Sequence, residues 1–283
     1  MQTQIIDGRK IRNKILEEVK KGIAKLSFQP VFCDVLVGDD PASKQYVQMK
    51  AKTAESVGIR FHDAYFTATI STEDLIKEIK VLNKMPDMCG LIVQLPLPVS
   101  LDRQKVLDAI DPNLDVDCLG QIASEKFFNN KSDIGRPTAI ACMKLLDSVH
   151  LDLKEKNILI LGQGELVGRP VTALMKFRGL KPYIATKETK NQAELIKQAD
   201  VIISGTGHGG LLTGDKIKEG VVIIDAGTSK RDGKIIGDVD MESVQGIASF
   251  VSPVPGGVGP VTVAVLLENV LTVAKSKNYS PHP

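Results

Sequence analysis

The chain has 283 residues, 43% apolar and 25% charged, a composition that fits a globular protein with core enough for two domains. Its formal charge of +2 gives no ground for nucleic acid or a membrane surface as a partner. Its four cysteines and four histidines are scattered, with no Cys-x-x-Cys pair, which argues against a disulfide framework and leaves no metal site to expect.

The first ten residues hold no apolar leader and no run approaches 18 apolar residues, so the expected location is cytoplasmic. Apolar runs then alternate with amphipathic stretches, the pattern of an α/β protein with a largely parallel sheet. The periodicity predicts a helix over 8–24, a strand over 31–37, a helix over 41–57 and a strand over 60–66. A helix over 72–84, a strand over 90–94 and helices over 101–110 and 137–148 follow. The second half reads as strand 157–161, helix 166–178, strand 182–186 and helix 192–198. Strands 201–204, 221–225 and 247–251 and a last helix over 261–275 complete it. Gly58 and Gly179 stand where left-handed helix caps are expected, and the polar tail 275–283 is expected to fray.

The helix over 41–57 carries the first chemistry. Asp40 followed by Pro41 is a helix start, an N-cap carboxylate and then a proline at the first helical position. Tyr46 and Lys50, four residues apart, share one face of it and can reach one ligand. A lysine beside a tyrosine can move protons where burial favours the neutral amine; the plain alternative is a solvated lysine and a packing tyrosine. Gln94, at the carboxyl end of strand 90–94, either hydrogen-bonds Lys50 or serves a turn. Asp115 and Asp117 lie in the next long loop. Loop carboxylates are mostly just solvated, but one facing the same cleft could bind a ring amidine- or guanidine-like edge by paired hydrogen bonds.

The strand over 157–161 runs into Gly162-Gln163-Gly164 and, after Val167, Gly168 at a helix start. Such glycines let a pyrophosphate approach backbone amides at a helix N-terminus, although this spacing is one residue longer than the commonest dinucleotide fingerprint. Thr186 and Lys187 at the next strand tip, with Arg169 nearby, favour NADP, while Glu188 could instead reach the 2′-hydroxyl of NAD. The cofactor set is completed by Gly205, Thr206, Gly227, Thr228 and Thr262. The segment 252–262 has prolines that fix the chain and glycines that let backbone approach a planar ligand, so Pro255, Gly256 and Gly257 are expected substrate contacts. His208 reads as a loop histidine near the cofactor. Residues 1–139 are thus expected to form an α/β catalytic domain to which helix 262–283 returns, and 140–261 a Rossmann-like dinucleotide-binding domain, with the active site in the cleft between them.

Taken together, Val37-Gly38-Asp39-Asp40-Pro41-Ala42-Ser43 with Tyr46 and Lys50, Val93-Gln94-Leu95-Pro96-Leu97-Pro98, Asp115-Val116-Asp117, Gly237-Asp238-Val239 and the segment from Pro253 to Thr262 resemble the bifunctional methylenetetrahydrofolate dehydrogenase/methenyltetrahydrofolate cyclohydrolase family. The resemblance runs essentially the whole chain. It implies oxidation of methylenetetrahydrofolate with NADP, hydrolysis of the methenyl product to 10-formyltetrahydrofolate, and a cytosolic homodimer. It also implies that Lys50 is the acid/base of hydrolysis, that Gln94 positions it, that Tyr46 stacks on the folate and that Asp117 anchors the pterin. There are departures. The family's Gly-Arg-Ser is here Gly162-Gln163-Gly164, its serine at the next strand tip is replaced around Thr186-Lys187, and its Pro-Cys-Thr-Pro becomes Arg136-Pro137-Thr138-Ala139. The Gly-Phe after its Asp-Val-Asp is here Cys118-Leu119. A monofunctional dehydrogenase and a nucleotide-binding module without turnover remain the alternatives. A short-chain dehydrogenase is excluded by order, because there the glycine loop precedes the Tyr/Lys pair.

Overall fold

The computed structural model describes residues 2–278, which divide into two compact units: Lys14–Arg136 with the residues from Val263 on, and the residues up to Asn13 with Pro137–Thr262. Strand β1 (Gln4–Ile5) and helix α1 (Gly8–Ile23) open the chain. Then come β2 (Val31–Val37), α2 (Pro41–Ser56), β3 (Arg60–Phe66), α3 (Thr72–Leu82), β4 (Met88–Val93), α4 (Arg103–Asp108) and α5 (Gln121–Phe128). The second half contains α6 (Pro137–Asp147), β5 (Ile158–Leu161), α7 (Gly168–Phe177), β6 (Tyr183–Ala185), α8 (Gln192–Gln198), β7 (Val201–Ser204) and β8 (Val222–Asp225). A short antiparallel hairpin, β9 (Ser229–Arg231) and β10 (Lys234–Ile236), precedes β11 (Phe250–Val251) and α9 (Val258–Asn278).

In the first unit three parallel strands lie in the order β3-β2-β4. All seven residues of β2 are buried, as expected of a central strand covered on both faces. Helix α2 follows it as predicted: the Asp40 carboxylate accepts from the Ser43 amide at 2.8 Å, Pro41 takes the first turn, and Gly58 beyond the helix has φ +89°. Helix α9 lies against β4 so closely that a Cβ on Gly90 would come within 2.7 Å of Val270 Cγ2. Asn269 on α9 donates to the carbonyls of Val116 and Gly135, both at 2.8 Å, which fixes the loop carrying Asp115 and Asp117.

In the second unit six parallel strands run β1-β11-β8-β7-β5-β6. The order reverses at β5, whose neighbours are β6 and β7, and such a reversal opens a crevice at the strands' carboxyl ends. The core beneath is aliphatic, built on Leu159, Leu161, Ile202, Ile223 and Val251.

Several elements depart from the sequence reading. The opening residues belong to the second unit rather than to the catalytic one. There β1 pairs with β11, and Thr3 Oγ1 donates to the Ala248 carbonyl at 2.7 Å. Helix α5 and the β9–β10 hairpin were not expected; both are short, and short elements carry little periodicity. The strand expected over 247–251 contracts to two residues, and α4 is shorter than 101–110 because Asp102 caps it at Lys105. Helix α9 starts earlier than predicted, at Val258, because Pro260 falls in a first turn whose amides have no helical partners anyway. It is also long and apolar enough to cross a membrane by composition, although no apolar run had suggested it. Its apolar window is 67% buried in the fold, so it is a core helix. The tail expected to fray from 275 is helical to Asn278, and the rest of it lies outside the described residues.

Candidate active site

In the first unit Lys50 lies on the face of α2 that covers β2 and is only 2% exposed. Its Nζ donates to Gln94 Oε1 at 2.8 Å, just past the end of β4, and lies 5.1 Å from the centre of the Tyr46 ring. Gln94 is held in turn by its own amide, which donates to the Leu95 carbonyl at 2.6 Å. The same ammonium forms an ion pair with Asp34, in the middle of β2 and fully buried. An ammonium has three donors, so Asp34 and Gln94 leave one for a substrate or a water.

The charges here shape one another. Burial pushes the Asp34 carboxyl up; the Lys50 ammonium opposes this and Asp63 adds to it. Burial also raises Asp117 to about 6, with Lys50 and Arg136 pulling it down and Asp34 pushing it up. The Tyr46 phenol is pushed up to about 12, again first by burial and then by Asp117 and Asp34, so it stays a neutral donor at physiological pH. Arg136, 3% exposed, donates to Ser124 Oγ at 2.9 Å and completes the charge pattern around Asp117. Tyr46, Lys50, Gln94 and Asp117 are therefore brought together as the sequence suggested.

In the second unit the expected cofactor residues gather at the carboxyl ends of β5, β7 and β8. Gly162 has φ +85°, and a Cβ there would sit 2.9 Å from the Gly205 carbonyl. A Cβ on Gly168 would strike the Gly162 carbonyl, and one on Gly205 would come within 2.7 Å of Val167. Gly164, by contrast, faces open space. Helix α7 starts at this turn with no side-chain cap; the Arg169 amide donates to the Gly164 carbonyl at 3.2 Å and Pro170 has no N–H, which leaves the Gly168 amide at the helix start. Asp238 knits the neighbouring loops: it accepts from Ser204 Oγ at 2.6 Å and from the Thr206 amide at 2.8 Å, and it abuts Gly227. Thr228 is exposed beside it, and Thr262 caps back onto the Val258 carbonyl at 3.1 Å. The turn fits a dinucleotide pyrophosphate.

Two family models divide the chain between them. Residues 6–117 match the catalytic domain of tetrahydrofolate dehydrogenase/cyclohydrolase, and residues 136–278 match its NAD(P)-binding domain. The chain belongs to the tetrahydrofolate dehydrogenase/cyclohydrolase family. It is 40% identical over 281 residues to the bifunctional protein FolD of Nitratiruptor sp., covering 98% of this chain and 100% of that one. The structure of the bifunctional FolD of Campylobacter jejuni superposes with a TM-score of 0.93 at 35% identity, over 97% of this chain and 99% of the other. The Trypanosoma brucei enzyme, solved with NADP and an inhibitor, gives 0.92 at 31% identity, over 99% and 100%.

Against this dehydrogenase/cyclohydrolase background the remaining residues can be placed. Gln163, where the family's arginine is expected, folds back: its amide donates to the Gly162 carbonyl at 3.0 Å and to Thr172 Oγ1 at 3.2 Å. At the tip of β6 the Thr186 hydroxyl donates to Glu188 at 2.6 Å, while Lys187 is exposed with Glu188 at 3.8 Å. Pro255 is exposed and Gly256 has φ +114°, but Gly257 is buried against Gly8 and Pro253, where its role is to close the turn. His208 is exposed. Sequence reasoning passed over Asp34 and Arg136. Asp34 had a signal: a carboxylate interrupting the apolar run Val31-Phe32-Cys33 and Val35-Leu36-Val37 must be buried with a partner. Arg136, before a helix-starting proline, had none.

Proposed function

We propose that this protein oxidises 5,10-methylenetetrahydrofolate to the methenyl cation with NADP, and hydrolyses that cation to 10-formyltetrahydrofolate. The observation that carries this reading is the Lys50 ε-amino group, set 2.8 Å from Gln94 and against the Tyr46 ring within the family's catalytic domain. When bound, the nicotinamide accepts the hydride. Tyr46 offers a neutral aromatic face and hydroxyl to the folate, and Asp117 accepts paired hydrogen bonds from the pterin edge. In hydrolysis, water adds to the methenyl carbon and gives up two protons. One ends on the ring nitrogen as the carbon–nitrogen bond breaks, and the other leaves to solvent. Lys50 carries these protons, and Gln94 keeps its nitrogen in place. The glycine turn from Gly162 to Gly168 receives the pyrophosphate, and Lys187 stands at the strand tip for the 2′-phosphate; Glu188 keeps NAD as the alternative.

Purified protein should reduce NADP with methylenetetrahydrofolate and should hydrolyse methenyltetrahydrofolate without nucleotide, with Lys50→Met losing the second activity. Intact, nucleotide-binding protein that turns over neither substrate would overturn the reading. A cytosolic homodimer belongs to the same proposal, with sedimentation at micromolar concentration as its test.

A further inference from the structure

The buried carboxylate behind Lys50 has no role in the reaction as just described. Asp34 sits at the centre of β2, in register with Asp63 on β3 and Ile92 on β4, with no exposed surface. Among the described residues the one group paired with it is the Lys50 ammonium, and neither oxygen has a hydrogen-bond partner besides. A charge with no water around it must be paired, so this carboxylate and this ammonium hold each other. The other groups facing them are few. Tyr46 comes from α2 itself, Gln94 from the end of β4, Asp63 from β3, and Asp117 with Arg136 behind it from the loop fixed by α9. Cys33 adjoins Asp34 on β2, and its thiol is pushed far up by burial and by Asp34.

We propose that Asp34 is a positioning residue for the hydrolase step: it is the built-in counter-ion of Lys50, holding the ε-amino group charged and fixed beside Gln94, and so sets the pH at which ring opening runs and its rate relative to dehydrogenation. The inference rests on the role given to Lys50 above. To take a proton from the attacking water Lys50 must be neutral, and a carboxylate in contact with it favours the ammonium. Donating a proton to the departing ring nitrogen needs the ammonium, which Asp34 supplies. The pair is also neutral overall, so it does not repel the cationic methenyl substrate as a lone ammonium would. The expected result is an enzyme whose hydrolysis is restrained near neutral pH while hydride transfer, which needs no proton from Lys50, is not.

The test compares wild type with Asp34→Asn, Asp34→Val and Lys50→Met. Methenyltetrahydrofolate hydrolysis is measured across the pH range after subtracting the uncatalysed rate, dehydrogenase rates are measured alongside, and folding is checked by thermal melts. Both Asp34 variants should move the ascending limb of hydrolysis down by about one pH unit or more and raise the hydrolase-to-dehydrogenase ratio at pH 7 about tenfold. An unmoved limb, an upward move, or loss of hydrolysis in both folded variants overturns the proposal. If Lys50→Met keeps hydrolysis, the role of Lys50 fails and takes this inference with it. If Lys50→Met abolishes hydrolysis but the Asp34 limb stays still, only the inference fails. Should neither Asp34 variant fold, the conservative Asp34→Glu variant, which keeps the charge but shifts it against Lys50, decides. A limb displaced from that of wild type when the carboxylate is moved by one methylene supports the counter-ion, and an unmoved limb overturns it.

Discussion

Replacing Lys50 by methionine is a stability experiment as much as a catalytic one. Methionine keeps most of the alkyl stem, so packing between α2 and β2 is largely retained and the change falls on the charge. Asp34 then stays fully buried with no cation against it. Breaking a buried pair from one side costs about 3–5 kcal/mol, a drop in melting temperature on the order of 10 °C for a protein this size. The loss also depends on pH. The Asp34 carboxyl is already raised by burial, and removing the opposing Lys50 attraction raises it further. The folded state then holds a proton that the unfolded chain has released, so the variant loses stability as pH rises from roughly 4 upward. Lys50→Met should therefore sit closer to wild type at pH 5 than at pH 8. The double variant Lys50→Met/Asp34→Val should recover most of the loss, because an apolar pair of similar volume often matches a buried ion pair. Thermal melts of the three proteins at both pH values decide it. A single variant that melts with wild type at pH 8, or a double variant no better than the single, would refute this account of the pair.

Other consequences are quicker to check. Gly164→Ala should fold normally, since nothing stands near its Cβ, yet weaken NADP binding, whereas Gly168→Ala should disrupt the turn itself; nucleotide titration with a melt separates the two. Gln163→Arg should raise kcat/KM for NADP relative to NAD, because Gln163 spends its amide on Gly162 and Thr172 rather than on a 2′-phosphate; unchanged ratios would show that Lys187 suffices. Asp115 and Asp225 are both raised to about 7, first by burial. In each, the folded form keeps a proton that the unfolded chain loses, so wild-type stability should fall between about pH 4 and pH 7, measured by urea unfolding.

The sequence announced its regular elements well where one signal agreed with another. Asp40, Pro41 and Gly58 bracket α2 because capping chemistry is local, and Tyr46 and Lys50 share a face because helical spacing is local. Gln94 and Asp117 joined them through the resemblance, since nothing along the chain says that the end of β4 meets α2. What was not legible depended on pairing across the chain. Two residues suffice for β1 only because β11 lies ready beside it, and such a strand has no period of its own. Asp34 was readable in principle as a charge in a buried strand, but its partner could be named only once the helix lay over the strand. The altered cofactor turn was visible as letters, whereas the inward fold of the Gln163 amide was not.

The pairing of β1 with β11 also bears on how the chain reaches this state. Gln4 meets Phe250, so the pairing joins two stretches that lie far apart along the chain. Until Phe250 and Val251 are in place, β8 presents an unpaired parallel edge. Closing so large a loop is entropically slow. That pairing is therefore a late step in the folding of the six-stranded sheet. A β8 edge open to wrong pairing until that loop closes is the cost of placing β1 at the sheet's far edge.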